Sequence, residues 1–229
     1  MERAQAEALV RSRGWLSTVP PAFADRFLAR ARLQRVEPGH PLWHVGDEPG
    51  AMCGVVAGGA QTFLPMPDGS ETLVSILRCG IWFGAGPQVT RRPRTLSFRW
   101  HEPGWAFRVA LSAVDALVQE RPETARPLAS VHVQGTEVAA RVLADLTIRD
   151  NLRRVAAVLW RVTDEAEGEI IRDFPLSQAD LAVMAAVSRQ VVNRSLAQFE
   201  TRGWLKAGYG KITFRDRAAL FRCAWPDQG

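Results

Sequence analysis

Cysteine is scarce in this chain of 229 residues: Cys53, Cys79 and Cys223 stand far apart, odd in number, with no Cys-x-x-Cys pair. That spacing excludes a disulfide framework and a thiolate-held zinc site, and the thiols read as reduced and buried, as in a cytoplasmic protein. An iron–sulfur cluster held by cysteine takes four thiolates, one more than the chain has. Histidine is nearly as rare, and His40, His44, His101 and His132 leave haem ligation open by residue type alone. No apolar run approaches the roughly 18–20 residues of a membrane-spanning helix, so no membrane contact is expected. The opening Met-Glu-Arg-Ala-Gln-Ala-Glu lacks the cationic and apolar regions of a signal peptide. There is no Ser/His/Asp order, metal-ligand cluster or phosphate-cradling glycine motif, and no enzymatic activity is expected.

What is present has the texture of a globular protein, with 47% hydrophobic and 23% charged residues and a mild net charge of +5. Residues 1–32 show helical spacing from Ala6 to Arg13, and again from Pro21 to Arg30, with proline at a helix start. From Leu33 to Ala110 short apolar runs alternate with Gly and Pro punctuation. Leu42–Val45, Met52–Ala57, Gln61–Leu64, Thr72–Leu77, Thr95–Trp100 and Trp105–Ala110 are strand candidates, a pattern that predicts a β-sandwich or barrel. Four of the eight tryptophans, Trp43, Trp82, Trp100 and Trp105, fall in this β-rich half, as core or as the lining of an apolar pocket. Helical spacing returns at Ser112–Gln119, and a longer helix is predicted from Pro122 to about Leu146. Its stripe of Leu128, Val131, Gly135, Val138, Val142 and Leu146 wants a partner helix, which a parallel homodimer would supply, with Leu128, Val131, Gly135, Val138 and Val142 in the interface. The bland alternative packs the same stripe onto the protein's own barrel. Thr147–Asn151 reads as a hinge, Leu152–Val162 as an amphipathic helix, and Ile170–Phe174 as a short strand.

The chemistry is concentrated in Leu176–Phe199, read as two short helices joined by a tight turn. Ser177, with Asp180 three residues on, is placed to cap the first helix, and Ser188 the second. In the second helix Val192, Leu196 and Phe199 share one face, which must be buried. Gln190, Asn193 and Arg194 fall on the other, with Arg189 near the start. Arg can bond guanine bidentately, and Asn or Gln can do the same to adenine, so this face suits a DNA major groove. Behind it, two short strands around Gly208-Tyr-Gly210 form a hairpin, or wing, whose Lys206, Lys211 and Arg215 suit phosphates.

These residues, Leu176–Leu181, Val187–Arg194 and Leu196–Leu205, resemble the cyclic-AMP receptor protein / fumarate-nitrate regulator (Crp/Fnr) superfamily of bacterial transcription factors. The order of elements matches from about Leu16 to the end, more loosely in the first domain, where Gly46-Asp47, Gly58, Asp68-Gly69 and Trp82-Phe-Gly84 carry it. The resemblance implies an α+β chain: a cyclic-nucleotide-binding-like double-stranded β-helix, or jelly-roll barrel, at 1–120, a dimerisation helix and hinge at 121–148, and a winged helix-turn-helix at 149–229. It implies DNA contacts from Ser188, Arg189, Gln190, Asn193, Arg194, Lys206 and Lys211. Two departures stand out: Gln190 replaces a common Glu, and the turn Met184-Ala-Ala-Val187 lacks the frequent glycine. An alanine held at positive φ there would cost about 1 kcal/mol.

Members of the superfamily that bind a cyclic nucleotide hold its ribose with a Glu just after Phe-Gly, and its phosphate with an Arg-Ser or Arg-Thr pair. Here the effector pocket would comprise Gly84, Ala85, Arg94 and Thr95; Ala85 replaces the Glu, and Ala139 and Ala140 replace helix hydroxyls that would meet the base. Standard cAMP binding is therefore not expected. The resulting expectation is a cytoplasmic homodimer that regulates transcription at an inverted-repeat operator, touching RNA polymerase if it activates. The competing reading is a receptor or interaction module whose winged domain docks a protein.

Overall fold

The computed structural model describes residues 1–39, 41–163 and 173–226. His40, and residues 170–172 of the expected strand, lie outside these. By internal packing the chain divides into two units, residues 1–71 with 76–139, and residues 72–75 with 140–229.

In the first unit α1 (Arg3–Ser12) and α2 (Pro21–Ala29) precede the strands, and Pro21 sits in the first turn of α2, where an N–H would find no helical partner. The strands are β1 (Arg32–Val36), β2 (Pro41–Trp43), β3 (Ala51–Ala57), β4 (Ala60–Pro65), β5 (Glu71–Leu77) and β6 (Trp82–Phe83). After α3 (Gly86–Thr90) come β7 (Ser97–Trp100), β8 (Gly104–Ala110) and α4 (Leu111–Glu120). They form two four-stranded sheets, in the orders β1-β8-β3-β6 and β2-β7-β4-β5, the architecture expected from the Gly- and Pro-punctuated runs. β1 and the two-residue β6 lie outside the apolar runs that predict strands.

Strand β3 explains why its sequence reads as an unbroken apolar run. Successive side chains alternate between faces, and here both faces are covered. Ala51, Cys53 and Val55 enter the barrel interior with Val36, Trp43, Phe83, Phe98 and Trp100. Met52 and Val56 enter a second core with Phe23 and Phe27 of α2, Phe107 and Val109 of β8, and Val114 and Leu117 of α4. Gly54 lies under the Trp82 ring, where a Cβ would come within 2.4 Å of it.

The helix expected from Pro122 is divided into a 3-10 turn at Pro122–Thr124, α5 (Ala125–Ala129) and α6 (Val131–Thr147). Trp15 Nε1 donates to the carbonyl of Pro127 at 3.1 Å and to Ser130 Oγ at 2.9 Å, pinning the break. Gln134 is buried; its Oε1 accepts from the Trp82 N–H at 2.9 Å and its Nε2 donates to the Gly80 carbonyl at 3.1 Å. The apolar stripe is divided. Leu128 and Val131 are buried in the helical core, and Val138 packs against the barrel interior. Val142 is half-buried and Gly135 is exposed with open space around it. The apolar residues that α6 leaves outward are Val133, Leu143 and Leu146, 56%, 65% and 41% exposed. A periodic stripe says that a face is covered; it does not name what covers it.

The second unit contains α7 (Asn151–Val162), β9 (Phe174–Pro175), α8 (Gln178–Met184), α9 (Arg189–Thr201), β10 (Leu205–Gly208), β11 (Lys211–Phe214) and α10 (Arg217–Ala224). Asp150 caps α7 by accepting from Arg153 N–H at 2.8 Å. The strands form a sheet in the order β10-β11-β9. Val155, Leu159, Val162, Leu181, Met184, Val192, Leu196, Phe199, Leu205, Ile212 and Phe214 are all buried, a core for the unit that leaves one side of α9 outward.

Candidate nucleic-acid interface and effector pocket

Helix α9 is built as its sequence periodicity requires. Ser188 Oγ accepts from the Val191 N–H at 3.3 Å, satisfying one of the donors a helix start leaves open. Ser177 Oγ does the same for the Asp180 N–H at 3.0 Å at the head of α8. Between the helices Ala186 adopts φ 50°, so the turn does demand a left-handed residue and this chain supplies an alanine. Arg154 secures the turn from below: its Nε donates to the Ala185 carbonyl at 2.7 Å, and its Nη1 to the Ile148 carbonyl at 2.5 Å. One side chain thus links α8's end, α7 and the segment before α7.

Val192, Ser195, Leu196 and Phe199 point inward, while Ser188, Arg189, Gln190, Asn193 and Arg194 are exposed. Among the described residues, none hydrogen-bonds or ion-pairs with the side chains of Arg189, Gln190, Asn193 or Arg194. Two cations and two amides are thus held on a rigid scaffold with their donors unspent. Farther along the same side, Arg194, Ala197, Gln198, Thr201 and Arg202 line a shallow groove. The Arg202 guanidinium lies 4.9 Å from the Trp204 ring centroid, and Trp204 stacks on Phe199 at 5.5 Å.

The hairpin register pairs Lys206 with Thr213 and Gly208 with Lys211, which places both lysines on the outer face of the wing. Glu200 Oε1 accepts from the Ala207 N–H at 2.8 Å and so ties the wing to α9. Lys211 Nζ lies 3.0 Å from the Asp173 carboxylate, an exposed pair of the kind that contributes little. Tyr209, the chain's single tyrosine, stands fully exposed at the wing tip, a placement its Gly-Tyr-Gly setting marked only as a turn. Lys206 and Lys211 are also the only lysines in the sequence; every other basic side chain of this class is arginine.

In the first unit Gly84 and Arg94 come together, while Thr95 is exposed. Gly84 adopts φ 82°, and a Cβ there would meet the Trp43 ring at 2.6 Å and Arg94 Nη1 at 3.1 Å. Arg94 is 4% exposed. Its Nη1 donates to the Gly84 carbonyl at 3.3 Å and its Nη2 to the Ala51 carbonyl at 2.7 Å, and its guanidinium lies 3.6 Å from the Trp43 ring centroid. Burial lowers the Arg94 pKa, with Cys53 and Asp47 opposing and Arg108 adding to the shift. Ala85 is buried in the helical core, and Ala139 and Ala140 are exposed on α6. His44 is exposed and His101 and His132 half-exposed; among the described residues no group of three or more His, Cys, Asp and Glu could hold a metal ion.

Against known proteins, the Crp-like helix-turn-helix domain model matches residues 153–223, and the cyclic nucleotide-binding domain model matches residues 33–121. The chain belongs to the Crp/Fnr superfamily of bacterial transcription regulators, with a DNA-binding helix-turn-helix behind a cyclic-nucleotide-binding-type barrel. A CRP-like cAMP-activated global transcriptional regulator of Mycobacterium tuberculosis is 28% identical over 222 residues, covering 87% of this chain and 99% of its own length. The cyclic AMP receptor protein of Thermus thermophilus is 24% identical over 205 residues, covering 90% of this chain and 94% of its own length. Solved structures share the fold. FixK2 from Bradyrhizobium japonicum has a TM-score of 0.70 at 19% identity, covering 84% of this chain and 96% of its own. The c-di-GMP responsive global regulator CLP of Xanthomonas campestris has a TM-score of 0.65 at 20% identity, covering 85% and 99%. Among the described residues no helix is long and apolar enough to cross a membrane.

Proposed function

We propose that this protein is a homodimeric, sequence-specific transcription regulator, not an enzyme, that reads an inverted-repeat operator with one α9 per half-site. The observation that carries this reading is the outward face of α9, where Arg189, Gln190, Asn193 and Arg194 stand exposed beside the two wing lysines. Arg189 and Arg194 have the geometry to bond guanine O6 and N7, and Gln190 and Asn193 to bond adenine. Gln190 in place of a carboxylate shifts preference away from cytosine N4, which an acidic side chain would accept from. Ser188, Lys206 and Lys211 are assigned to phosphates, and Tyr209 to the groove edge beside them. The homodimer is proposed to close through α6, with Leu146 of the stripe and its neighbour Leu143 taking the place of the covered Leu128 and Val131, beside half-buried Val142 and exposed Gly135. As an activator it would also contact RNA polymerase.

The barrel is proposed not to hold a cyclic nucleotide in the superfamily's usual way. Ala85 offers no carboxylate to a ribose, Ala139 and Ala140 offer no hydroxyl to a base, and both terminal nitrogens of Arg94 bond backbone carbonyls. The cAMP of the M. tuberculosis relative and the c-di-GMP of the Xanthomonas neighbour are named for those proteins; this site fits neither by its polar groups.

A gel shift with genomic fragments at several salt concentrations tests the DNA reading. Discrete fragments should be retained, with affinity falling steeply as salt rises. Uniform or absent retention would instead favour a winged domain that docks protein. The chain's lysine distribution adds an internal footprint: apart from the N-terminal amine, an amine-acylating reagent can reach only Lys206 and Lys211. Operator DNA should protect both.

A further inference from the structure

Trp43 packs against Arg94 in the barrel interior. Its ring lies 3.6 Å from the guanidinium, and Gly84 lacks the Cβ that would collide with that ring at 2.6 Å. The same indole meets Phe83 edge-on at 5.7 Å and Phe98 at 5.9 Å; Phe83 meets Phe98 at 4.7 Å and Trp100 at 6.0 Å. Four aromatic side chains, drawn from β2, β6 and β7, thus fill the space between the two sheets with Ala51, Cys53 and Val55 beneath them. The guanidinium's flat face is covered by the indole, as a buried cation favours, and its in-plane terminal nitrogens are turned onto Gly84 and Ala51.

We infer that Trp43 is a built-in occupant of the effector site, and that operator binding by this protein does not wait for a cyclic nucleotide. This rests on the DNA-binding reading above for its second half only. The barrel serves as a filled scaffold, and Arg94 is held within the chain by an aromatic face and two carbonyls, while its buried Nε has no hydrogen-bond partner among the described residues.

Two measurements on the full chain test it. A ligand present at about a hundred times its Kd raises Tm by several degrees in a protein of this size. With cAMP or cGMP at about 1 mM, the wild-type Tm should stay within about 1 °C, and operator affinity within about twofold. A rise of about 3 °C or more, or a tenfold change in operator affinity, overturns the inference. The second measurement asks whether Trp43 is the obstacle. Trp43→Ala, or Trp43→Leu if the alanine variant does not fold, bares the guanidinium face. It should acquire a rise in Tm with inorganic phosphate that the wild type lacks, and adding Arg94→Ala should abolish that gain. A folded Trp43 variant that remains indifferent to phosphate overturns the role given to Trp43. If no fragment is retained with or without nucleotide, the DNA reading fails, and the Tm measurements still decide the fate of the barrel.

Discussion

At the scale of single residues, Ala186 carries the clearest energetic signature. Its φ of 50° puts a Cβ where L-residues pay roughly 1–2 kcal/mol, and it is exposed, so no packing recovers that cost. Ala186→Gly loses some of the gain to a floppier unfolded chain. The expected net is about 0.5–1 kcal/mol of added stability, read as a higher urea midpoint at unchanged m-value. A lower midpoint would show that the alanine is relaxed there. Cys53 makes a second residue-level statement. Burial pushes its thiol up to about 12, against the opposing pull of Arg108 and Arg94. Because the thiolate is the nucleophile, native protein near neutral pH should be alkylated at Cys79 and Cys223 well before Cys53. Equal labelling rates by mass spectrometry would contradict the burial. The sign of the linkage follows: an unfolded thiol loses its proton first, near 9, so the Cys53 contribution to stability is full below that pH and is lost as pH rises toward 12. On α9 the expectations divide by chemistry. Arg194→Ala should cost about 1–3 kcal/mol at cognate sites and flatten the preference for one base pair. Lys211→Ala should weaken cognate and random DNA alike and reduce the salt slope by about one. A variant lacking Arg194 that retained full operator preference would remove that side chain from the reading set.

At the scale of elements, α9 and α6 show how differently amphipathicity can be resolved. In α9 both faces were legible: Val192, Leu196 and Phe199 are buried, and the polar side is outward. In α6 the periodicity was equally visible but its partner was not, because a strand-lined barrel and a second helix ask for the same spacing. Val131, with Leu128 of α5 before it, serves the chain's own core, and Val133, Leu143 and Leu146 face outward. Leu143→Arg should therefore convert a dimer into monomers by sedimentation and depress operator affinity, with helical content unchanged. A dimer that survives this substitution is built elsewhere. The end of α6 also meets α7 through Asp145 and Arg161, a buried pair at 2.6 Å. Burial raises the Asp145 pKa, while the Arg161 hydrogen bond and charge lower it. Removing one partner strands a buried charge, so Arg161→Met alone should cost about 3–5 kcal/mol, and adding Asp145→Leu should restore much of the loss. Simple additivity of the two in urea unfolding would mean that the pair is not coupled.

At the scale of the whole molecule, the proposed dimer requires half-sites whose centres lie about one helical turn, roughly 34–36 Å, apart. Inserting about five base pairs between them puts the second half-site on the opposite side of the duplex, and should abolish high-affinity binding while single half-site binding persists. A net charge of +5 is too small to hold DNA by itself, so local placement of Arg189, Arg194, Lys206 and Lys211 has to supply the contact. The concentration of both lysines in one hairpin could be read from the chain, but their shared face depended on the register that pairs Lys206 with Thr213.

Spacing and local hydrogen bonding were enough to place the helix-turn-helix, its caps at Ser177 and Ser188, the outward residues of α9 and the β-rich character of residues 33–110. The sequence also showed the missing carboxylate at Ala85, since one residue type at one motif position suffices for that. Which neighbour covers the stripe of α6, and that Trp43 seats on Arg94 beside Gly84, came from the closed fold alone. Those contacts join residues far apart in the chain, as Trp43 is from Gly84 and Arg94. No local periodicity encodes them; they exist only once two sheets have closed on a common core.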